Sequence, residues 1–135
     1  MFQGADFLQI GIKHATLGTL TLYPKSGENG QIDYGGLETE SDQKSITGSG
    51  EAIYKTSVKR WAVETPPIAW RKSSTDTLQS IKNMANSYLE CDFTFELADG
   101  TIWVGTGRIV GELKGATLDS TFPLKIEGGG KLAMV

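Results

Sequence analysis

Residues 91–110 read CDFTFELADGTIWVGTGRIV. Two alternating runs flank Asp99-Gly100, a dipeptide that favours a type I′ turn, because both central residues need positive φ. A two-residue loop predicts the register: Ala98 opposite Thr101, Leu97 opposite Ile102, Glu96 opposite Trp103, Phe95 opposite Val104 and Phe93 opposite Thr106. One face then carries Phe93, Phe95, Leu97, Ile102 and Val104, an apolar core face. The other carries Asp92, Thr94, Glu96, Trp103, Gly105 and Gly107. That second face is polar and glycine-rich, and it suggests a sheet whose outer side meets something other than bulk water.

Working outward, residues 73–90 carry the one helical pattern. Leu78, Ile81, Ala85 and Tyr88 recur at helical spacing, Met84 and Leu89 widen the stripe, and Asp76 followed by Gln79 forms a capping box, with Ser74 and Thr75 as alternative caps. This predicts an amphipathic helix over about residues 75–90, packed on the sheet. Residues 6–13, 17–23 and 31–37 read as strands, and 24–30 (PKSGENG) as a loop. Residues 38–50 (ETESDQKSITGSG) are polar and predict a long mobile loop. Residues 51–65 predict one longer strand with two mixed faces, stopped by Pro66-Pro67. Residues 121–127 close the domain with Phe122, Leu124 and Ile126 on one side, and Pro123 suggests an edge position. Gly128-Gly129-Gly130 reads as a hinge before a short apolar tail. The fold expected is α+β, mainly β: one domain over 1–135, an antiparallel sandwich or barrel of about six or seven strands with one helix.

Composition narrows the function. At 135 residues and 39% hydrophobic, the chain is long enough for a core. No run approaches the roughly 18 apolar residues of a membrane span, so no membrane insertion is expected. The N-terminal residues lack a secretory pattern, which predicts a cytoplasmic site of synthesis and folding. One cysteine and one histidine exclude an internal disulfide and the common zinc sets. A net charge of −3 argues against a phosphate-binding surface, and 17 glycines point to turns, bulges and close backbone approaches.

Candidate chemistry is sparse. Gly105-Thr-Gly107-Arg-Ile-Val-Gly111 has the wrong spacing for a phosphate loop and no helix after it, so the glycines are read as strand features. His14 has no nucleophile or orienting group near it in sequence and reads as a surface or loop histidine. Cys91 shares the parity of Phe93 and Phe95 and reads as a small core residue. Glu38, Glu40 and Asp42 alternate but lack the register of a calcium loop. Trp61, Trp70 and Trp103 could form a stacking platform for carbohydrate or bases, although core or interface use is the commoner role. No catalytic, cofactor or metal residues are assigned, and the chain is not expected to be an enzyme.

The element order, the hairpin FTFELADGTIWVGTGRIVGEL and the closing FPLKIEGGG together resemble the tail tube proteins of contractile-tailed bacteriophages. Type six secretion tubes and phage-tail-like bacteriocins share that fold. The resemblance implies hexameric rings stacked into a virion tail tube, assembled in the host cytoplasm. DNA would pass through without specific binding, and no cofactor would be needed. Sheath, baseplate, tape-measure and tail-terminator proteins would be the partners. It also implies that Asp92, Thr94, Glu96, Trp103, Gly105 and Gly107 form an assembly or lumen face. Glu38, Glu40, Asp42 and Lys44 would then belong to a loop reaching the next ring. A monomeric binding module using exposed Trp residues is the alternative.

Overall fold

The computed structural model describes residues 3–69, 77–116 and 118–135; at 41–45 and 77 the description is of the backbone. In chain order the strands are β1 (Phe7–His14), β2 (Gly18–Leu22), β3 (Gln31–Asp33), β4 (Gly36–Ile46), β5 (Ala52–Lys59), β6 (Trp61–Glu64) and β7 (Ile68–Ala69). Helix α1 (Thr77–Ala85) comes next, then β8 (Cys91–Leu97), β9 (Ile102–Val110), β10 (Thr121–Phe122), β11 (Lys125–Gly128) and β12 (Ala133–Met134). Among the described residues the fold is mainly β with one helix, and every ladder is antiparallel.

The main sheet runs β2-β1-β8-β9-β11-β6-β3, with β12 also on β9. After the bend at Gly129-Gly130 the chain continues along β9, so β11 and β12 pair with its two halves in turn. Lys131 also bridges Gly35, and Leu132 N–H donates to the Tyr34 carbonyl at 2.9 Å. The sheet thereby closes on itself between the end of β3 and the start of β9. Its inward residues form one core: Phe7, Ile10 and Ile12 from β1, Phe93 and Phe95 from β8, Trp61 and Val63 from β6, Ile109 from β9, and Ile126 and Leu132 near the C-terminus. Ile81 and Met84 seat the helix on that core.

The turn at Asp99-Gly100 corrects the expected register. Only Gly100 takes positive φ there (+90°), while Asp99 does not. Gly100 N–H donates to the Leu97 carbonyl at 3.0 Å, and Leu97 N–H to the Thr101 carbonyl at 2.9 Å. The Asp99 carboxylate accepts Thr101 N–H at 2.9 Å, which holds Asp99 in the turn without a left-handed backbone. This is a type I turn followed by a glycine bulge, with one more loop residue than the type I′ form. The ladder therefore pairs Phe95 with Trp103, Phe93 with Gly105 and Cys91 with Gly107. A one-residue slip exchanges the faces of β9. Trp103, Gly105 and Gly107 lie on the core side, whereas Ile102 and Val104 share the outer side with Glu96 and Thr94.

Other elements also depart from expectation. The helix ends at Ala85, and residues 86–90 form turns and bends, so Tyr88 leaves the buried stripe and is 94% exposed. The expected caps Ser74, Thr75 and Asp76 lie outside the described residues. Residues 38–50 are not a loop: 36–46 make β4, and the turn is confined to about 47–51. The expected strand 51–65 breaks at Arg60 into β5 and β6, which belong to different sheets. Its mixed faces arise from that division. The last strand is likewise split by Pro123 into β10 and β11, although Phe122, Leu124 and Ile126 are all buried as expected. In β1 a bulge at Leu8 puts Phe7 on the same side as Ile10 and Ile12.

Candidate assembly surfaces

Three surfaces on this framework lack an internal explanation. The first is the hairpin of β4 and β5. It continues the β3–β6 ladder in one register, since three steps from the Asp33–Ala62 pair reach the Gly36–Lys59 pair. Beyond Gly36 the two strands form a sheet of their own, and every residue of β5 is exposed. Eleven residues at about 3.3 Å each give an arm of roughly 35 Å, about the width of a domain this size.

This arm is two-faced. Leu37 stands opposite Val58 and Thr39 opposite Thr56, with Tyr54 on the same side. Leu37, Val58 and Tyr54 are 75%, 76% and 66% exposed. The other side carries Glu38, Glu40, Lys55 and Lys59, with Ile53 among them. Lys59 Nζ lies 3.6 Å from Glu38 Oε2. In the body of the same hairpin the inward residues are Ile32 and Val63. Strict alternation from these would turn Glu38 and Lys59 towards the core side and Leu37 and Val58 outward. The apolar pattern thus changes sides at Gly35-Gly36, both with positive φ (74° and 95°). A two-stranded hairpin with one apolar side and no covering layer is marginal by itself.

The second surface is the outer side of β2-β1-β8-β9. The ladders align Thr19, Lys13, Asp92 and Thr106 in one row, and Thr21, Gly11, Thr94 and Val104 in the next. Gln9 and Glu96 follow, joined by a 2.6 Å hydrogen bond from Gln9 Nε2 to Glu96 Oε2. Thr106 Oγ1 donates to Asp92 Oδ1 at 2.9 Å. Thr19, Thr21, Lys13, Asp92, Thr94 and Thr106 are all exposed. The result is a mostly polar surface, interrupted by Ile102 and Val104 and ending at the edge strand β2.

Of the six residues expected on one assembly face, Asp92, Thr94 and Glu96 belong to this surface. Trp103, Gly105 and Gly107 do not, because of the register slip. Gly105 and Gly107 instead make room inside. A β-carbon on residue 105 would sit 2.9 Å from the Trp61 ring and 2.7 Å from Leu132, and one on residue 107 would collide with the Glu127 carbonyl. Gly105 and Gly107 of the apparent phosphate loop are therefore packing positions in a strand, while Gly111 follows β9 with positive φ (78°) and open space beside it. Of the expected inter-ring set, Glu38, Glu40, Asp42 and Lys44 all lie on β4.

The tryptophans divide in the same way. Trp61 is fully buried, so it cannot stack on a ligand, and its indole N–H finds no described partner. Trp103 is half-buried against Tyr34, their ring centroids 4.6 Å apart. Trp70 lies outside the described residues.

The third surface surrounds His14, which is 3% exposed, against the expectation of a surface residue. Its Nδ1 accepts the backbone N–H groups of Thr16 (3.1 Å) and Leu17 (3.0 Å). Nδ1 must then be unprotonated, so Nε2 carries the hydrogen and donates it to Ser87 Oγ at 2.9 Å. Sequence reasoning missed Ser87 because it lies 73 positions away. The pair resembles a nucleophile and base only by type. A base must accept the serine proton at Nε2, and here that atom is the donor. The arrangement is a structural latch.

Beside it, burial pushes the Cys91 thiol upward from its ordinary value, with help from the Asp92 charge. At the far end of the strand, the Thr101 backbone N–H holds Asp99 below the usual carboxylate range. Among the described residues no three His, Cys, Asp or Glu side chains gather as a metal site, and no helix is long and apolar enough to cross a membrane. No protein-family model matches this sequence, and no curated protein matches it.

Proposed function

We propose that this protein is the subunit of a self-assembling tube, built of stacked hexameric rings like the tail tube of a contractile phage. The observation that carries this reading is the amphipathic arm: a projecting hairpin with Leu37, Tyr54 and Val58 in solvent. An apolar side that turns away from its own core gains nothing from folding of the monomer, and a second copy is the partner that the reading supplies.

The uncovered polar side of β2-β1-β8-β9 supports the same reading. Several of its residues are hydrogen-bonded to one another, and its carboxylates Asp92 and Glu96 are balanced by Lys13 and Arg108. Facing a lumen, such a charge-balanced wall offers DNA no cluster of cations on which to stop. The edge of β2 would meet the lateral neighbour within a ring. Sheath, baseplate, tape-measure and terminator proteins, and a place in a virion, belong to the proposal.

Negative-stain microscopy and sedimentation of the pure chain at rising concentration test it. Rings or tubes with a central channel are the expected result. A strictly monomeric species at the highest concentrations, or a saturable small ligand bound by a monomer, overturns it.

A further inference from the structure

The chain has three asparagines, Asn29, Asn83 and Asn86, and the fold places their backbones differently. An asparagine amide is open to attack by the main-chain nitrogen of the next residue. That attack is easiest where the nitrogen donates no hydrogen bond and no side chain shields it. Asn83 lies within α1, where the next N–H belongs to the helical ladder. After Asn86, Ser87 N–H donates to the Met84 carbonyl at 3.3 Å. Asn29 is exposed and is followed by Gly30, which has no side chain to shield its nitrogen.

The ladders fix where the Gly30 N–H points. Thr65 N–H donates to the Leu124 carbonyl at 2.9 Å, on the β11 side of its strand. By antiparallel alternation, Glu64 turns its N–H to Gln31 of β3. Gly30, one place before Gln31, therefore turns its own N–H away from β6, and β3 is an edge of the sheet. Among the described residues nothing accepts it. The Asp99-Gly100 turn is the contrasting case. There Gly100 N–H donates to the Leu97 carbonyl at 3.0 Å. Thr101 N–H also holds the Asp99 carboxyl below the usual range, in the ionised form that resists attack.

We propose that Asn29 is a modification site, deamidated spontaneously through a cyclic imide; this goes beyond the tube reading and does not depend on it. The Gly30 nitrogen gives its proton to solvent base and bonds to Asn29 Cγ. The Cγ–Nδ2 bond breaks, and the amide nitrogen leaves as ammonia with a proton taken from water. A second water then opens the imide. Opening at Cγ gives aspartate; opening at the main-chain carbonyl gives isoaspartate, in which the backbone runs through the former side chain. Solvent water is the only co-reactant.

Both products matter at this place. A new carboxylate joins Asp6, Glu28 and Asp99 around a cavity of about 340 Å³. Isoaspartate also lengthens the backbone by a methylene beside a tightly seated glycine. A β-carbon on residue 30 would lie 2.5 Å from the Phe7 ring and 2.8 Å from Pro66. The start of the same loop is tied down as well, since the Asp6 carboxylate accepts Gly27 N–H at 3.3 Å. A loop held at both ends takes up the extra length only by shifting β3 or releasing Asp6.

The test holds full-length protein in mildly alkaline buffer and follows it by isoelectric focusing and peptide mass mapping. Acidic species should appear, with aspartate and isoaspartate both found at position 29. Asn29 should convert at least about fivefold faster than Asn83 or Asn86, whose attacking nitrogens are engaged. Asn29→Gln should suppress the acidic species, because the longer amide closes a larger and slower ring. The purified isoaspartate form should unfold at lower urea concentration than the parent. Conversion first at Asn83 or Asn86, or at Asn29 only after urea has unfolded the chain, overturns the proposal. An isoaspartate form as stable as the parent would show that the loop is not held at both ends.

Discussion

Trp61 stands directly opposite Gly128 across the β6–β11 ladder, and a β-carbon on residue 128 would lie 2.6 Å from its indole. The same position would meet the Thr106 carbonyl. Backbone cannot give way as a side-chain tip can. Gly128→Ala is expected to destabilise by about 3 kcal/mol or more, at or beyond the upper end of ordinary overpacking. Gly105→Ala should cost less, because one of its near neighbours is the movable end of Leu132. Urea denaturation of the two variants checks the order; equal costs would mean that the indole shifts freely.

Phe95 is fully buried, edge-on to Phe7 and Trp61 and stacked on Phe93. Phe95→Ala is expected to lower stability by about 3–5 kcal/mol. A change below 1 kcal/mol by denaturant titration would contradict the inward placement of this side of β8.

Replacing His14 with Ala leaves the Thr16 and Leu17 N–H groups without their acceptor and Ser87 Oγ with only the Leu89 N–H. A cost of about 2–4 kcal/mol is expected, from the lost packing of a buried ring together with part-buried donors left unpaired. Ser87→Ala removes only one end and should cost about 1 kcal/mol. A double-mutant cycle should give a clear coupling energy, and additive effects would separate the two residues.

Cys91 is 2% exposed, so it should resist alkylation in the folded protein and react on unfolding. Its folded-state pKa is raised, so the native state keeps the proton that the unfolded chain releases first. The associated stability is complete below the ordinary thiol value of about 8.5 and is lost as pH rises through the folded-state value. The difference in urea midpoint between the parent and Cys91→Ala should therefore narrow from pH 8 to pH 10. A constant difference would show that the thiol does not titrate differently in the two states.

Removing residues 38–57 and joining Leu37 to Val58 through a short turn should leave the main sheet intact, because the arm's sheet is its own. Circular dichroism and the unfolding midpoint should change little, while assembly is abolished. Tubes of normal appearance from this variant would take the arm out of the mechanism.

Local pattern carried much of the fold. The alternation of Phe93, Phe95 and Cys91 with polar residues specified a strand and its buried side, since period-two spacing is a property of the chain itself. The Ile81–Met84 stripe likewise specified the helix, though not its end, because Tyr88 and Leu89 fit the spacing but stay in solvent. The polarity of residues 38–50 misled for the opposite reason. A strand with no core to face need not look like one, so a projecting hairpin reads as a loop.

The sequence alone thus determined the mainly β class, the helix carrying Ile81 and Met84, the buried side of β8 and the polar trio Asp92, Thr94 and Glu96, all of which follow from nearest-neighbour periodicity. Tertiary structure decided the rest. Whether Asp99 adopts positive φ moved the register by one residue and carried Trp103 and two glycines to the inside. Whether His14 meets Ser87 depends on folding that brings distant segments together. Those outcomes depend on which segments compete for the same interior space, and local periodicity holds no record of that competition.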